Sequence, residues 1–454
     1  MNFLTRSLSK VYNIVTGRGC PSVEKDMDEI MELLTACVEQ KGGEVSARMR
    51  AAEMVRYYLI LDDAGRRQVL NLIATRFGPS HDEIARAHAA YQQSISTEGQ
   101  WAAENTLRIA LESPRKRILT QFNTINIGVC FLVELRSDLL RYMKDDPELA
   151  ALDGDLKSCL TSWFDVGFLE LRRITWDSSA SVLEKLIAYE AVHEINSWSD
   201  LKNRLDSDRR CYAFFHPHMP DDPLIFVQVA LVKDMSGDVQ QLLDVDAPVY
   251  DPAQAEAAVF YSITNTQKGL RGISFGSFLL KRVINSLTGD FPKLKTFATL
   301  SPLPGFMSWF KNNKTALVNA CTSGDIKRLA EAGADEAAFE EIINNPESFQ
   351  PNSALLDALR EPMMRVAAYY LLEVKRDIKP LDAVARFHLG NGARVERLNW
   401  MADMSAHGLR QSWGVMVNYL YNPSALEDNI EAFAGGLIDA SSAVKKMAAQ
   451  VKII

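Results

Sequence analysis

Three places in this 454-residue sequence hold residue types that can do chemistry. The first runs Gln267-Lys268-Gly269-Leu270-Arg271-Gly272-Ile273-Ser274-Phe275-Gly276 and leads into a predicted helix that opens near Ser277. Small residues at Gly272, Ser274 and Gly276 let a ligand reach the backbone, and a helix start offers unpaired N–H groups at the positive end of its dipole. Together they suit a pyrophosphate. The second place is Ser301, a hydroxyl at the end of a predicted strand, held by Pro302 and Pro304. The third is His388, whose imidazole, with an unperturbed pKa of about 6.5, can move a proton near neutrality. Taken singly, each has an ordinary reading: a glycine-rich turn, a serine in a turn before proline, and a packed strand histidine before Gly390-Asn391-Gly392. His216-Pro217-His218 sets two imidazoles on one strand face, but Pro217 and the lack of a third ligand argue against a metal. His81 and His88 lie on a helical stretch without a metal-binding motif.

Such side chains need a scaffold to bring them together. From about residue 24 to 165, apolar residues recur three and four apart, as at Met27, Ile30, Met31 and Leu34 and at Leu132, Leu135, Leu139 and Tyr142. This half is predicted to be all helical. Lys41-Gly42-Gly43, Gly78-Pro79-Ser80 and Asp145-Asp146-Pro147 punctuate it, and the uncharged run Ile118 to Val133 reads as one buried helix. No cluster of polar groups is evident on the apolar faces, so oligomerisation is expected of this half rather than chemistry.

After Trp163 the pattern changes. Phe168 to Trp176 has strand-type residues, and Ser181-Val182-Leu183-Glu184 reads as a capping box that opens a helix. Cys211 to Phe215 and Leu224 to Val232 form a predicted hairpin across Pro220-Asp221-Asp222-Pro223. Ala257 to Ile263, the glycine-containing loop, a helix over Gly276 to Leu287 and a strand over Leu294 to Leu300 make a βαβ-type unit. Helices return over Met307 to Val374, and two strands are expected around Gly390-Asn391-Gly392. The expected class is α+β in two domains, an all-α bundle over 1–165 and an α/β domain over 166–454.

Composition narrows the function. A length of 454 residues at about 100–200 per domain suits two or three domains. A 47% hydrophobic, 24% charged chain is globular, and a net charge of −8 argues against nucleic acid or an anionic membrane as the main partner. The charge is uneven, since residues 261–320 hold eight basic side chains against Asp290. That window wants an anion. The cysteines (Cys20, Cys37, Cys130, Cys159, Cys211, Cys321) form no C-x-x-C pair and read as thiols of a reducing compartment. No run of about 18 apolar residues suggests a membrane span. Arg6, Lys10 and Arg18, with no acid before Glu24, read as an amphipathic first helix, and Val451-Lys452-Ile453-Ile454 is no peroxisomal address. A cytoplasmic protein is expected, with the mitochondrial matrix as the alternative.

Arg271-x-x-Ser274-x-Gly276 fits the Arg/Gln-x-x-Gly-x-Gly/Ala pattern of the acetyltransferase superfamily, with serine in the first glycine position. No Gly-x-Gly-x-x-Gly stands at this turn and no Walker loop occurs. The run Phe260-Tyr261-Ser262-Ile263-Thr264 through Gln267, then Gly269-Leu270-Arg271-Gly272, Gly276, Phe278-Leu279 and Lys281-Arg282-Val283, resembles malonyl-CoA decarboxylases. Supporting strings are Cys211-Tyr212 with His216 and Pro220, Leu300-Ser301-Pro302-Leu303-Pro304-Gly305-Phe306, and Phe387-His388-Leu389-Gly390-Asn391-Gly392-Ala393 before Asn399-Trp400-Met401-Ala402-Asp403. The resemblance covers most of the chain after Trp163. It implies a helical oligomerisation domain, an acetyltransferase-like (GNAT-like) catalytic domain, and release of carbon dioxide from malonyl-CoA to leave acetyl-CoA. It also implies that Arg271, Gly272, Ile273, Ser274, Phe275, Gly276 and Ser277 hold the CoA pyrophosphate, that Ser301 and His388 are the catalytic pair, and that Tyr421 assists them. Some family members carry Glu where Ser274 stands. No cofactor is expected, because the thioester is itself the electron sink. Two other readings remain at this level: an acyl-CoA-dependent acyltransferase and a non-catalytic acyl-CoA-binding regulator.

Overall fold

The computed structural model describes residues 27–39, 43–273, 278–335, 340, 341, 343–345 and 353–451. The expected amphipathic first helix lies outside these residues. Two compact units emerge: the first is Met1–Leu169 with His216–Pro220 and Gln267–Ser274, and the second is Glu170–Phe215, Asp221–Thr266 and Phe275–Ile454.

Helices build the first unit, and their starts are written in short polar residues. Asp62 accepts the Gly65 N–H before helix Asp63–Arg76, Ser80 accepts from Glu83 before His81–Ser94, and Ser113 precedes Pro114 at the start of Pro114–Asn123. Each cap satisfies an amide that the helix itself leaves unpaired. Leu132, Leu135, Leu139 and Tyr142 are buried together, as their spacing predicts. The run Ile118 to Val133 is not one helix. It breaks between Pro114–Asn123 and Gly128–Tyr142, because the chain folds back so tightly that a Cβ at Gly128 would stand 2.0 Å from the Phe122 carbonyl oxygen.

A second departure is a buried polar cluster. Arg66 Nη1 donates to Asp138 Oδ2 at 2.9 Å and lies 3.5 Å from Glu134, while Tyr58 OH donates to the same Asp138 oxygen at 3.1 Å. Glu134 and Asp138 sit four apart on one helix, so both carboxylates face the same guanidinium. Arg141 Nη2 adds a second cation 3.1 Å from Asp138 Oδ1, and counting apolar residues alone hides such a cluster, because its charges are met by one another rather than by water.

The second unit is built on a mixed sheet. Its strands are β1 (Glu170–Ile174), β2 (Arg209–Phe215), β3 (Ile225–Val232), β4 (Ala257–Asn265), β5 (Thr296–Thr299), β6 (Ser301–Pro302), β9 (Arg394–Asn399) and β10 (Met416–Tyr421), while β7 (Lys375–Arg376) and β8 (Lys379–Pro380) pair separately. The spatial order is β1-β2-β3-β4-β5-β10-β6, with β9 also on β10. The β2–β3 hairpin forms as expected, from runs buried along nearly their whole length. Strands β4 and β5 are parallel, with the loop and helix Phe278–Asp290 between them in sequence. One such parallel pair inside an otherwise antiparallel sheet is the acetyltransferase-like arrangement that the resemblance implied.

Two local expectations are corrected. Helix Ala180–Tyr189 is capped by Ser179, whose hydroxyl accepts the Val182 N–H, and not by Ser181. Phe387-His388-Leu389 is not a strand but the last turn of helix Ala383–Gly390. Asp382 Oδ1 accepts the N–H groups of Val384 and Ala385 at 2.9 Å each, which starts that helix firmly. Gly392, at φ +84°, then turns the chain into β9, where a Cβ would lie 2.5 Å from the Leu426 carbonyl oxygen. A single strand therefore follows that turn.

Candidate active site

Strand β10 is the frame of the site. Val417 pairs with Ser301 on β6, and Tyr421 pairs with Phe297 on β5. Period two along β10 turns Tyr419 and Tyr421 to the same side. His388 meets both: its ring stacks on Tyr419 at 4.5 Å between centroids, and its Nδ1 is 2.8 Å from Tyr421 OH. On the other edge, His388 Nε2 is 2.9 Å from Ser301 Oγ. Ser301, His388 and Tyr421, which lie far apart in sequence, thus form one hydrogen-bonded chain.

The direction of that chain follows from counting protons. Ser301 has one hydroxyl proton and gives it to Thr299 Oγ1 at 2.9 Å. His388 Nε2–H then donates to Ser301 Oγ, and Tyr421 O–H donates to Nδ1. All three groups are buried, His388 to 3% exposure. Burial alone pushes the His388 pKa down to about 3, since an imidazolium would lose its hydration, and drives the Tyr421 hydroxyl well above its ordinary value. The imidazole is neutral at pH 7.

This has a consequence for stability. In the unfolded chain His388 binds a proton below about pH 6.5, whereas the native site refuses it until about pH 3. Its contribution is therefore complete above pH 6.5 and is lost as the pH falls. Wild-type protein is expected to lose roughly 1.4 kcal/mol per pH unit relative to His388→Gln between pH 6 and 4. Urea midpoints at several pH values measure it, and a constant gap contradicts the burial argument.

Residues that motif reading overlooked support this chain. Asp382 caps the His388 helix, accepts Tyr370 OH at 3.3 Å and also takes the Gly305 N–H. Gly305 follows Ser301 closely and leaves no room for a side chain, because a Cβ would stand 2.4 Å from Tyr370 OH. One carboxylate thereby ties the histidine's helix to the serine's loop. Burial raises its pKa, against the pull of the backbone N–H groups. Thr299 is completely buried, and its hydroxyl also accepts the Tyr419 N–H at 3.2 Å. Signals for two of them were present: Asp before an apolar helical run is an N-cap, and Thr299 and Ser301 are two apart.

The candidate phosphate loop is described only as far as Ile273. Arg271 and Gly272 are exposed, Ile273 is buried, and Gly272 has φ +76°, a conformation that glycine adopts without strain. Ser274, Phe275, Gly276 and Ser277 lie outside the described residues. His216 and His218 pack against each other at 5.5 Å between ring centroids, and His216 Nε2 lies 3.2 Å from the Trp163 carbonyl oxygen.

Residues 167–453 match the family model of the malonyl-CoA decarboxylase C-terminal domain, and residues 77–164 match that of its N-terminal domain. A protein named malonyl-CoA decarboxylase, mitochondrial, from Rattus norvegicus is 37% identical over 424 residues, 89% of this chain and 86% of that protein. One of the same name from Anser anser anser is 36% identical over 442 residues, 93% of this chain and 87% of that one. The crystal structure of malonyl-CoA decarboxylase from Rhodopseudomonas palustris is 39% identical, with a TM-score of 0.82, and the match covers 93% of this chain and all of that one. With matches along both halves, the chain belongs to the malonyl-CoA decarboxylase family.

Proposed function

We propose that the protein decarboxylates malonyl-CoA to acetyl-CoA and carbon dioxide through a thioester enolate, with Ser301 and His388 as the catalytic pair and Tyr421 assisting. The observation that carries this reading is the buried Tyr421–His388–Ser301 chain, at 2.8 and 2.9 Å. In the reaction the bond between the carboxylate carbon and the α-carbon breaks, and its electron pair moves into the thioester. The enolate that results needs hydrogen-bond donation at oxygen and a proton at carbon. Ser301 O–H, released from Thr299, supplies the donation, and the neutral His388 behind it restores any proton that Ser301 gives up. Tyr421 O–H serves the imidazole in the same way from the far side. Overall one proton comes from solvent. The thioester takes the electrons, so the step asks for no organic cofactor.

The loop from Arg271 to Ser277, within the basic window 261–320, is the part we assign to the CoA pyrophosphate. Among the described residues Cys37, Cys159, Cys211 and Cys321 are reduced thiols, which suits the cytoplasm, with the mitochondrial matrix as the alternative. Family resemblance also implies a homo-oligomer through the helical unit, which the mass of the purified chain in light scattering reads directly. Purified protein mixed with malonyl-CoA is expected to release acetyl-CoA and carbon dioxide in equal amounts. Free CoA released only when an amine is added would move the protein to the acyltransferases. Tight CoA binding with no product would leave a sensor.

A further inference from the structure

Arg136 has no place in the reaction just described, yet it is among the most deeply buried large side chains of the protein. From helix Gly128–Tyr142 its Nη1 donates to the carbonyl oxygens of Gly269 at 2.6 Å and Arg271 at 2.9 Å, and its Nε donates to Asp153 Oδ1 at 2.8 Å. Asp153 belongs to helix Ala150–Trp163. The turn Lys268–Leu270 lies so close to the first helix that a Cβ at Gly269 would stand 1.8 Å from the Val133 carbonyl oxygen. Two helices therefore clamp the start of the candidate CoA loop.

The clamp also aims the loop. A trans peptide points its N–H opposite to its C=O, so turning the Arg271 carbonyl to Arg136 directs the Gly272 N–H the other way. Beside that glycine is a cation from the same helix as Asp153: a Cβ at Gly272 would lie 3.6 Å from Lys157 Nζ. Lys157 is exposed. An aimed N–H, an exposed glycine without a side chain in the way and an ammonium beside it make a seat for a phosphate oxygen.

We infer that Lys157 contacts the diphosphate of the CoA tail beside Gly272, and that Arg136 is a positioning residue that holds the start of the loop to receive it. The inference rests on reading Arg271 to Ser277 as the CoA loop. Lys157→Gln, at a solvent-exposed position, is expected to raise the CoA dissociation constant and KM about two- to fivefold, as befits one exposed ionic contact, with kcat kept and the penalty shrinking at high salt. Arg136→Lys keeps the charge but loses the fork, and is expected to show the same split between KM and kcat without salt dependence. Calorimetry with CoA and with dephospho-CoA reads both. A Lys157→Gln penalty that disappears with dephospho-CoA places the contact on the 3′-phosphate and overturns the assignment. Arg271→Ala separates the two levels. If it weakens CoA binding while Lys157→Gln and Arg136→Lys do not, the inference fails alone; if all three bind CoA as the wild type does, the loop reading fails with it.

Discussion

His388→Asn is expected to lower kcat about 10²- to 10⁴-fold, the range for losing a positioned proton-transfer group, while CoA affinity stays at the wild-type level. Asparagine can offer one hydrogen bond to Ser301, but it cannot take a proton on one side and release it on the other. In the proposed mechanism the imidazole does this, because its two nitrogens sit between Ser301 Oγ and Tyr421 OH at 2.9 and 2.8 Å. Burial keeps it neutral, so the role proposed for it is that of a relay and not of a preformed imidazolium. Some stability is lost as well, because the smaller side chain leaves a gap against Tyr419. Circular dichroism and CoA calorimetry separate folding from chemistry. A folded variant with kcat within about tenfold of wild type removes His388 from the mechanism.

Ser301→Ala is expected to cost about 10²- to 10³-fold in kcat, the usual cost of deleting one donor to a developing oxyanion. The hydroxyl joins Thr299 on one side to His388 on the other, so its removal leaves the Nε2–H aimed at a methyl group. Buried donors left without a partner cost about 1–3 kcal/mol, which lowers the melting temperature too. Ser301→Thr, which keeps a hydroxyl, is the control: it should retain more activity than alanine. Here KM is again unchanged, in contrast to Arg271→Ala, whose first effect is on affinity. Equal losses of kcat and affinity in the serine, histidine and arginine variants would contradict this division of roles.

Much of the scaffold was legible from local pattern. The hairpin β2–β3 and strand β4 were visible because runs buried on both faces must be apolar throughout, and the helical half because burial on one face imposes a repeat near 3.6. Other features were not. Phe387-His388-Leu389 is too short a run for periodicity to separate strand from helix, and the Asp382 cap that decides it lies five residues before Phe387. Arg66, Glu134 and Asp138 look like surface charges until the fold places them together.

By itself the sequence determined most of the element types, the basic window around Arg271 and the strings that hold Ser301 and His388. Those depend on neighbours along the chain, where spacing and residue type act directly. Only the tertiary structure decided that Ser301 and His388, 87 residues apart, share a hydrogen bond, that Asp382 ties their two segments together, and that Gln267–Ser274 belongs with the helical unit through Arg136. The physical reason is common to all three. A buried polar group must find its partner wherever the packing of whole elements happens to bring one, and no local repeat records where that is.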